Sequence, residues 1–209
     1  MDTATDNLWR GTSSDERADE RRARLLAACR EIVGREGSAA LTVRAVCRAG
    51  GVGPRYFYDA FADADALLLA TYEQAVGQLL TAVAVVATAL RTGEQVPARQ
   101  LLGHVFEAAV SHLEDHPEDG RIIFAEALAN DVLRTRAVVS LPAFVQGVRH
   151  LVFTPDELAG SRDDALTATL LSGALAAAFV EWLSGTAIFG RDELIDRCAD
   201  FTWRALSGE

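Results

Sequence analysis

Between residues 17 and 36 apolar side chains return every third or fourth position. Leu25, Cys29, Ile32 and Val33 form one stripe, with arginines and carboxylates around it. That period predicts an amphipathic helix. Gly37 follows as its left-handed cap. Thr42 is placed to cap a second, short helix over 43–49, with Leu41 and Val46 as the apolar pair that brackets such a start. Gly50 and Gly51 end it. Pro54 suits the first turn of a third short helix, which runs to about residue 60.

Asp63 then caps a long helix over 64–91. Beyond the loop RTGEQVP, the pattern predicts helices over 98–115, 121–129, 132–152, 163–184 and 191–206. HPEDG is a break, Pro142 a kink or interruption, and FTPDELAGSR a loop. No stretch alternates as a strand does and no repeat is present, so the chain reads as all-α. Its parts are a flexible tail (1–16), a compact group of short helices (17–62) and a larger helical domain (63–209). The run from Ala165 to Val180 carries no charge. It is shorter than the roughly 18–20 residues of a membrane span, and Glu181 follows it. A buried or dimer-forming helix is expected there, not a membrane segment.

Composition sharpens this picture at a few points. Half of the 209 residues are hydrophobic, enough for a substantial core, and only five are proline. All 20 basic side chains are arginine, and the net charge is −10. Residues 1–62 nevertheless carry a net +1, leaving −11 for the remainder. A polyanion partner is thus compatible with the first third and disfavoured on the rest. Cys29, Cys47 and Cys198 are scattered, which points to reduced thiols and neither a disulfide framework nor a zinc site. The polar start MDTATDNLWR has no secretory pattern, so a cytoplasmic protein is expected. His112 and His116 are four apart with His104 two turns earlier, but HExxH is absent. They read as solvated or core-edge histidines, and neither a metal nor a cofactor is expected. Cys47 as a redox-sensitive group gives way to Cys47 as a small buried hydrophobe.

The stretch GGVGPRYFYDAF, residues 50–61, carries the candidate chemistry. Two short helices joined by a glycine-containing turn have helix-turn-helix geometry, in which the second helix enters the DNA major groove. On a helical wheel Phe57, Phe61 and Pro54 share an inward face. Arg55, Tyr56 and Asp59 fall opposite, with Tyr58 on the margin. Arg55 is placed to pair with guanine or a phosphate. Arg17, Arg21, Arg22 and Arg24 crowd the start of the first helix, where the dipole disfavours cations. Asp15, Glu16, Asp19 and Glu20 partly offset them, and a nearby phosphate would do so further. On these residues alone a solvated charged face stays open as an alternative.

Residues 21–72, RRARLLAACREIVGREGSAALTVRAVCRAGGVGPRYFYDAFADADALLLATY, resemble the N-terminal domain of the TetR family of bacterial regulators. The shared set is an apolar helix ending in glycine, Leu-Thr-x-Arg, a Gly-Val turn, an aromatic-Tyr-x-x-Phe helix and a leucine-rich start to the fourth helix. The resemblance implies a homodimeric repressor, released from a palindromic double-stranded DNA operator by a small apolar effector. It implies that Thr42 and Tyr58 contact phosphate, that Arg44 reaches a base, and that Pro54, Arg55 and Tyr56 face the groove. Three positions depart from the family pattern. Ala64 stands where a phosphate-touching lysine is common, Ala60 where histidine or tyrosine is frequent, and Gly53 where serine or threonine usually caps. Arg10, within Trp9-Arg10-Gly11, is either an arm for the minor groove or part of a disordered tail.

In the larger domain Phe106, Phe124, Phe144, Phe179 and Trp182 lie on apolar faces and are first of all core. Some are expected to line an effector pocket, with Glu126 and Asn130 as polar partners. The last two helices are expected to pair with their copies through Leu171, Leu175, Ala176 and Phe179, in the stretch LLSGALAAAF. The fourth helix begins beside the recognition helix and continues into the larger domain, so its tilt is the expected link. The rival reading is an all-α small-molecule-binding protein or enzyme with a vestigial DNA module. No nucleophile–base motif, phosphate loop or metal cluster supports catalysis, so a non-enzyme is expected.

Overall fold

The computed structural model describes residues 6–92, 96–160 and 165–207, and every regular element among them is helical. The chain divides into two compact units, the first ending at Thr71 and the second beginning at Tyr72.

The first unit holds α1 (Asp6–Glu36), α2 (Val43–Gly50), α3 (Pro54–Ala60) and the opening turns of α4 (Ala64–Thr92). The three short-range partners α1, α2 and α3 all pack on one another. Of the stripe seen in the sequence, Leu25, Cys29 and Val33 are buried and Ile32 is half-buried at its edge; Val46, Phe57 and Leu67 are buried with them. Burying a leucine or phenylalanine fully is worth about 1.5–3 kcal/mol. The start signals work as expected. Thr42 Oγ1 accepts from the Ala45 N–H at 3.1 Å, and Asp63 Oδ1 from the Ala66 N–H at 2.8 Å. Gly37 does have a positive φ of 87°, but its ψ of 167° is extended and not left-handed helical.

The second unit continues α4 and adds α5 (Ala98–Asp115), α6 (Pro117–Gly120), a π turn (Arg121–Ala125), α7 (Glu126–Ala129) and α8 (Asp131–Val152). It closes with α9 (Pro155–Gly160), α10 (Ala165–Leu183) and α11 (Arg191–Ser207). α11 packs on α5, and α10 on α8. The Tyr72 and Ser140 hydroxyls meet at 2.8 Å and join α4 to α8. Arg191 joins α11 to α5 through Glu107 at 2.7 Å and Glu114 at 3.1 Å. That network is solvent-screened, so its pairs add little to stability.

Four local expectations are corrected. Residues 6–16 are helical, not a tail. They continue α1 without a break from Asp6 to Glu36. Pro142 does not interrupt α8. The carbonyl it leaves without an N–H belongs to Val138, which is 68 % exposed and open to water. HPEDG holds the short helix α6, with Pro117 in its first turn. FTPDELAGSR holds α9, opened by a capping box. The Thr154 N–H donates to Glu157 Oε2 at 2.8 Å, and the Glu157 N–H to Thr154 Oγ1 at 3.3 Å. α4 and α10 are both long and apolar enough, by length and composition, to cross a membrane. The uncharged run 165–180 is shorter than the helix that holds it, which ends at Leu183. In the fold each buries part of its surface against other helices.

Candidate nucleic-acid interface and apolar cavity

The turn between α2 and α3 is built on two glycines. A Cβ on Gly50 would sit 3.1 Å from the Arg24 carbonyl oxygen, where α2 crosses α1 closely. Gly51 is left-handed, with φ 59° and ψ 35°, and its N–H returns to the Cys47 carbonyl. A side chain is disfavoured there. Pro54 then starts α3.

Phe57 and Phe61 hold α3 from beneath and are buried, their rings 6.0 Å apart. With that face committed, the others turn out. Tyr56 is 46 % exposed and Tyr58 61 %, and Arg55 is exposed beside them. Pro54 is exposed as well, against its inward place on the wheel, because the first residue of a helix sits at the rim of its packing face. Thr42 and Arg44 are exposed on α2. Two arginines of α1 reach this region, Arg21 lying over the Tyr56 ring at 4.5 Å and Arg22 over Phe61 at 4.6 Å. Such stacking holds a guanidinium and an aromatic ring in a set orientation. The N-terminal arginine cluster thus has a packing role that helical periodicity did not disclose. Arg10 falls within the helical backbone of α1, but its side chain lies outside the described residues. Cys47 is buried, and burial pushes its thiol up, away from a reactive thiolate.

The second unit encloses a narrow apolar cavity of about 70 Å³. Phe106, Phe124, Phe144 and Phe179 line it. Glu126 and Trp182 do not. Glu126 is buried, paired with Arg121 at 3.2 Å, and Trp182 sits edge-on to Phe179 at 6.3 Å. Asn130 is spent as the cap of α8. The π turn, which repeats more slowly than an α-helix, turns three consecutive side chains inward (Ile122, Ile123 and Phe124). Val76, Leu79 and Val83 of α4 form another wall. The polar residues at the cavity are Ser172 and Thr202, which sequence reasoning missed. The signal was a threonine at an inward position of the stripe Ile195, Cys198, Ala199, Thr202, Leu206.

Two of the expected pairing residues on α10, Leu171 and Phe179, are buried within the unit. Leu171 is 1 % exposed and Phe179 is buried, and both line the cavity together with Leu175 and Ala176. Leu171 and Phe179 face the interior of their own unit, whereas Leu175 and Ala176 are half-buried and also border surface grooves. The open face of the helix is Leu166, Leu170, Gly173, Ala174 and Ala177. His112 is also accounted for: its Nε2 lies 3.1 Å from the buried Asp119 Oδ2, and its ring lies tilted against that of His116, 4.9 Å away. Among the described residues no group of three or more His, Cys, Asp or Glu side chains could hold a metal ion.

The arrangement has solved counterparts. A TetR family transcription regulator from Marinobacter aquaeolei superposes with a TM-score of 0.61 at 20 % identity, over 92 % of this chain and 98 % of that one. The fatty acid degradation regulator FadR from Bacillus halodurans matches with a TM-score of 0.61 at 14 % identity, over 87 % and 94 %. A TetR-like transcriptional regulator from Rhodococcus sp. matches at 0.57 and 16 %, over 90 % and 97 %. No protein-family model matches the sequence, nor does any curated protein. The class defined by these observations is an all-α helix-turn-helix protein with a second helical unit. More particularly, the chain has the fold of the TetR-family transcription regulators.

Proposed function

We propose that the protein is a DNA-binding transcription regulator, a cytoplasmic homodimer that represses from a palindromic operator until a small apolar effector enters the second unit. The observation that carries this is the division of labour on α3. Phe57 and Phe61 are buried, while Arg55, Tyr56 and Tyr58 face out next to a glycine-built turn. In this reading Thr42 and Tyr58 bind phosphate, Arg44 and Arg55 reach base edges, Pro54 and Tyr56 line the groove, and Arg10 lies near the DNA backbone. The dimer forms through the outward face of α10 around Leu166 and Leu170, with Phe201 of α11. A two-fold axis there sets the two recognition helices about 34–36 Å apart, or a multiple of that, to match a palindrome. α4 supplies Leu67 and Leu68 to the core of the first unit and Val76, Leu79 and Val83 to the cavity wall. An effector that binds the DNA-incompetent state more tightly acts through that shared helix.

The test is selection of genomic fragments by the purified protein, followed by titration of the recovered site at several salt concentrations. A palindromic consensus bound with a steep salt dependence is expected. Recovery of fragments with no common sequence would overturn the reading.

A further inference from the structure

We infer that the cavity of the second unit takes an uncharged, slender, largely apolar molecule whose one hydrogen-bonding end is held by the Thr202 hydroxyl. The inference deepens the effector reading above and rests on it. The lining carries no ionisable side chain. A carboxylate or ammonium entering it would lose its hydration with no counter-charge, a penalty far larger than one hydrogen bond returns. A charged group is therefore excluded from the cavity itself.

Thr202 supplies the second observation. It is 3 % exposed and lines the cavity, and its Oγ1 has no hydrogen-bond partner among the protein's own groups. Helical threonines have an easy remedy, the carbonyl four residues back. Thr71, Thr81, Thr135 and Thr169 all take it, at 2.7–2.9 Å. Thr202 does not. A buried hydroxyl that forgoes the local carbonyl is left for something else, and the cavity is beside it. Ser172 is the other polar wall. Its Oγ already donates to the Thr169 carbonyl at 3.0 Å, so it has only lone pairs to offer a ligand.

Size narrows the class. The cavity, at about 70 Å³, is smaller than the ~150 Å³ cavity known to admit benzene. A ring does not fit without displacement of the walls. Ile123, Phe124, Leu141, Ser172 and Ala176 also border a larger groove of about 640 Å³, where Leu128 and Val138 are exposed; its charged lining groups are Arg134, already paired with Asp131, and Glu181, which repels a carboxylate. An unbranched chain can run from Thr202 past Ser172 into that groove.

Calorimetric titration of the DNA-free full chain with 1-octanol and with octanoate at neutral pH tests the inference. 1-Octanol is expected to bind at least tenfold more tightly than octanoate. Thr202→Val should weaken 1-octanol about two- to tenfold, the worth of one net hydrogen bond, and leave octanoate unchanged. Thr202→Ser should restore the alcohol. Thr202→Val removes an unpartnered hydroxyl, so it should melt no lower than wild type, which checks its folding. Octanoate binding as tightly as the alcohol would overturn the inference. So would an alcohol affinity indifferent to Thr202→Val, or the lack of saturable binding by either probe. Because no DNA is present, selective alcohol binding by a protein that recovers no operator would retain this inference and reject the regulator reading.

Discussion

Thr42 is expected to serve two masters, the start of α2 and a DNA phosphate, and two substitutions separate them. In the fold Thr42 has extended backbone (φ −137°, ψ 151°), and its Oγ1 accepts from the Ala45 N–H at 3.1 Å. Thr42→Ala removes the cap and the hydroxyl together. The cap is worth about 1 kcal/mol, which lowers the melting temperature by roughly 4–8 °C in a unit of this size. Thr42→Asp keeps an oxygen for the Ala45 N–H. Asp caps at least as well as Thr, and its charge adds about 0.3–1 kcal/mol against the positive end of the helix dipole. The aspartate variant should therefore melt at or above wild type. On DNA the order reverses. A carboxylate about 4 Å from a phosphate is repelled by about 1–4 kcal/mol per half-site at effective dielectric constants between 80 and 20, and salt should shrink the effect. Thermal denaturation followed by circular dichroism reads the first quantity. Fluorescence anisotropy at low and high salt, on the selected operator, reads the second. An aspartate variant that binds DNA like wild type at low salt refutes the phosphate contact, and one that melts below the alanine variant refutes the capping argument.

The remaining expectations are local. Gly51→Ala forces a side chain into the left-handed turn at φ 59° and should destabilise the protein by about 1–2 kcal/mol; an unchanged denaturation midpoint would reject the turn geometry. Leu170→Glu, at a position 65 % exposed on α10, should leave folding unchanged yet yield monomers in sedimentation, whereas Leu171→Glu, 1 % exposed, should unfold the second unit; a folded Leu171→Glu monomer would reverse the register. Burial pushes the Cys29 and Cys198 thiols from 9.0 up to about 11. A thiol whose folded-state pKa is raised contributes stability below the unfolded pKa and loses it as pH rises through the folded value. Stability should therefore fall between about pH 9 and 11, measured by urea unfolding. Cys29→Ala should flatten part of that slope, and an identical slope in the variant would refute the assignment.

The first unit was legible in the sequence because each of its signals is short-range and chemically distinct. A threonine three residues before the amide it caps, a glycine pair at a turn, a proline at a first turn and two phenylalanines four apart all mean nearly the same thing in any context. The second unit was legible in its helices and much less so in their faces. Charged residues mark the outside of α1 and α11, but Ala165–Val180 has none. Every face of that stretch is apolar or small, so periodicity cannot choose between Leu170 and Leu171. One position along a helix turns a side chain by about 100°, and the interface expectation fell on the inward neighbour. α9 was missed for a different reason. Its capping box Thr154-Pro155-Asp156-Glu157 was present, but the Pro and Gly around it read as loop.

The same ambiguity explains why the sequence could point to a pocket and its aromatic candidates without separating cavity wall from core. Phe106, Phe124, Phe144 and Phe179 are large and apolar, and a core or a cavity would use them alike. What distinguishes a cavity is the arrangement, and here it depends on the π turn, which brings Ile122, Ile123 and Phe124 inward in succession. No residue type announces such a turn. The polar candidates, Glu126 and Asn130, were chosen for their capacity to bind, and that capacity is already consumed. Arg121 pairs with Glu126, and Asn130 Oδ1 receives the Val132 and Leu133 N–H groups at 3.0 and 3.2 Å. Thr202 looked unimportant because a threonine in a helix ordinarily satisfies itself. The informative polar group is therefore the one whose local partner stands unused, a property of the folded chain that no spacing in the sequence encodes.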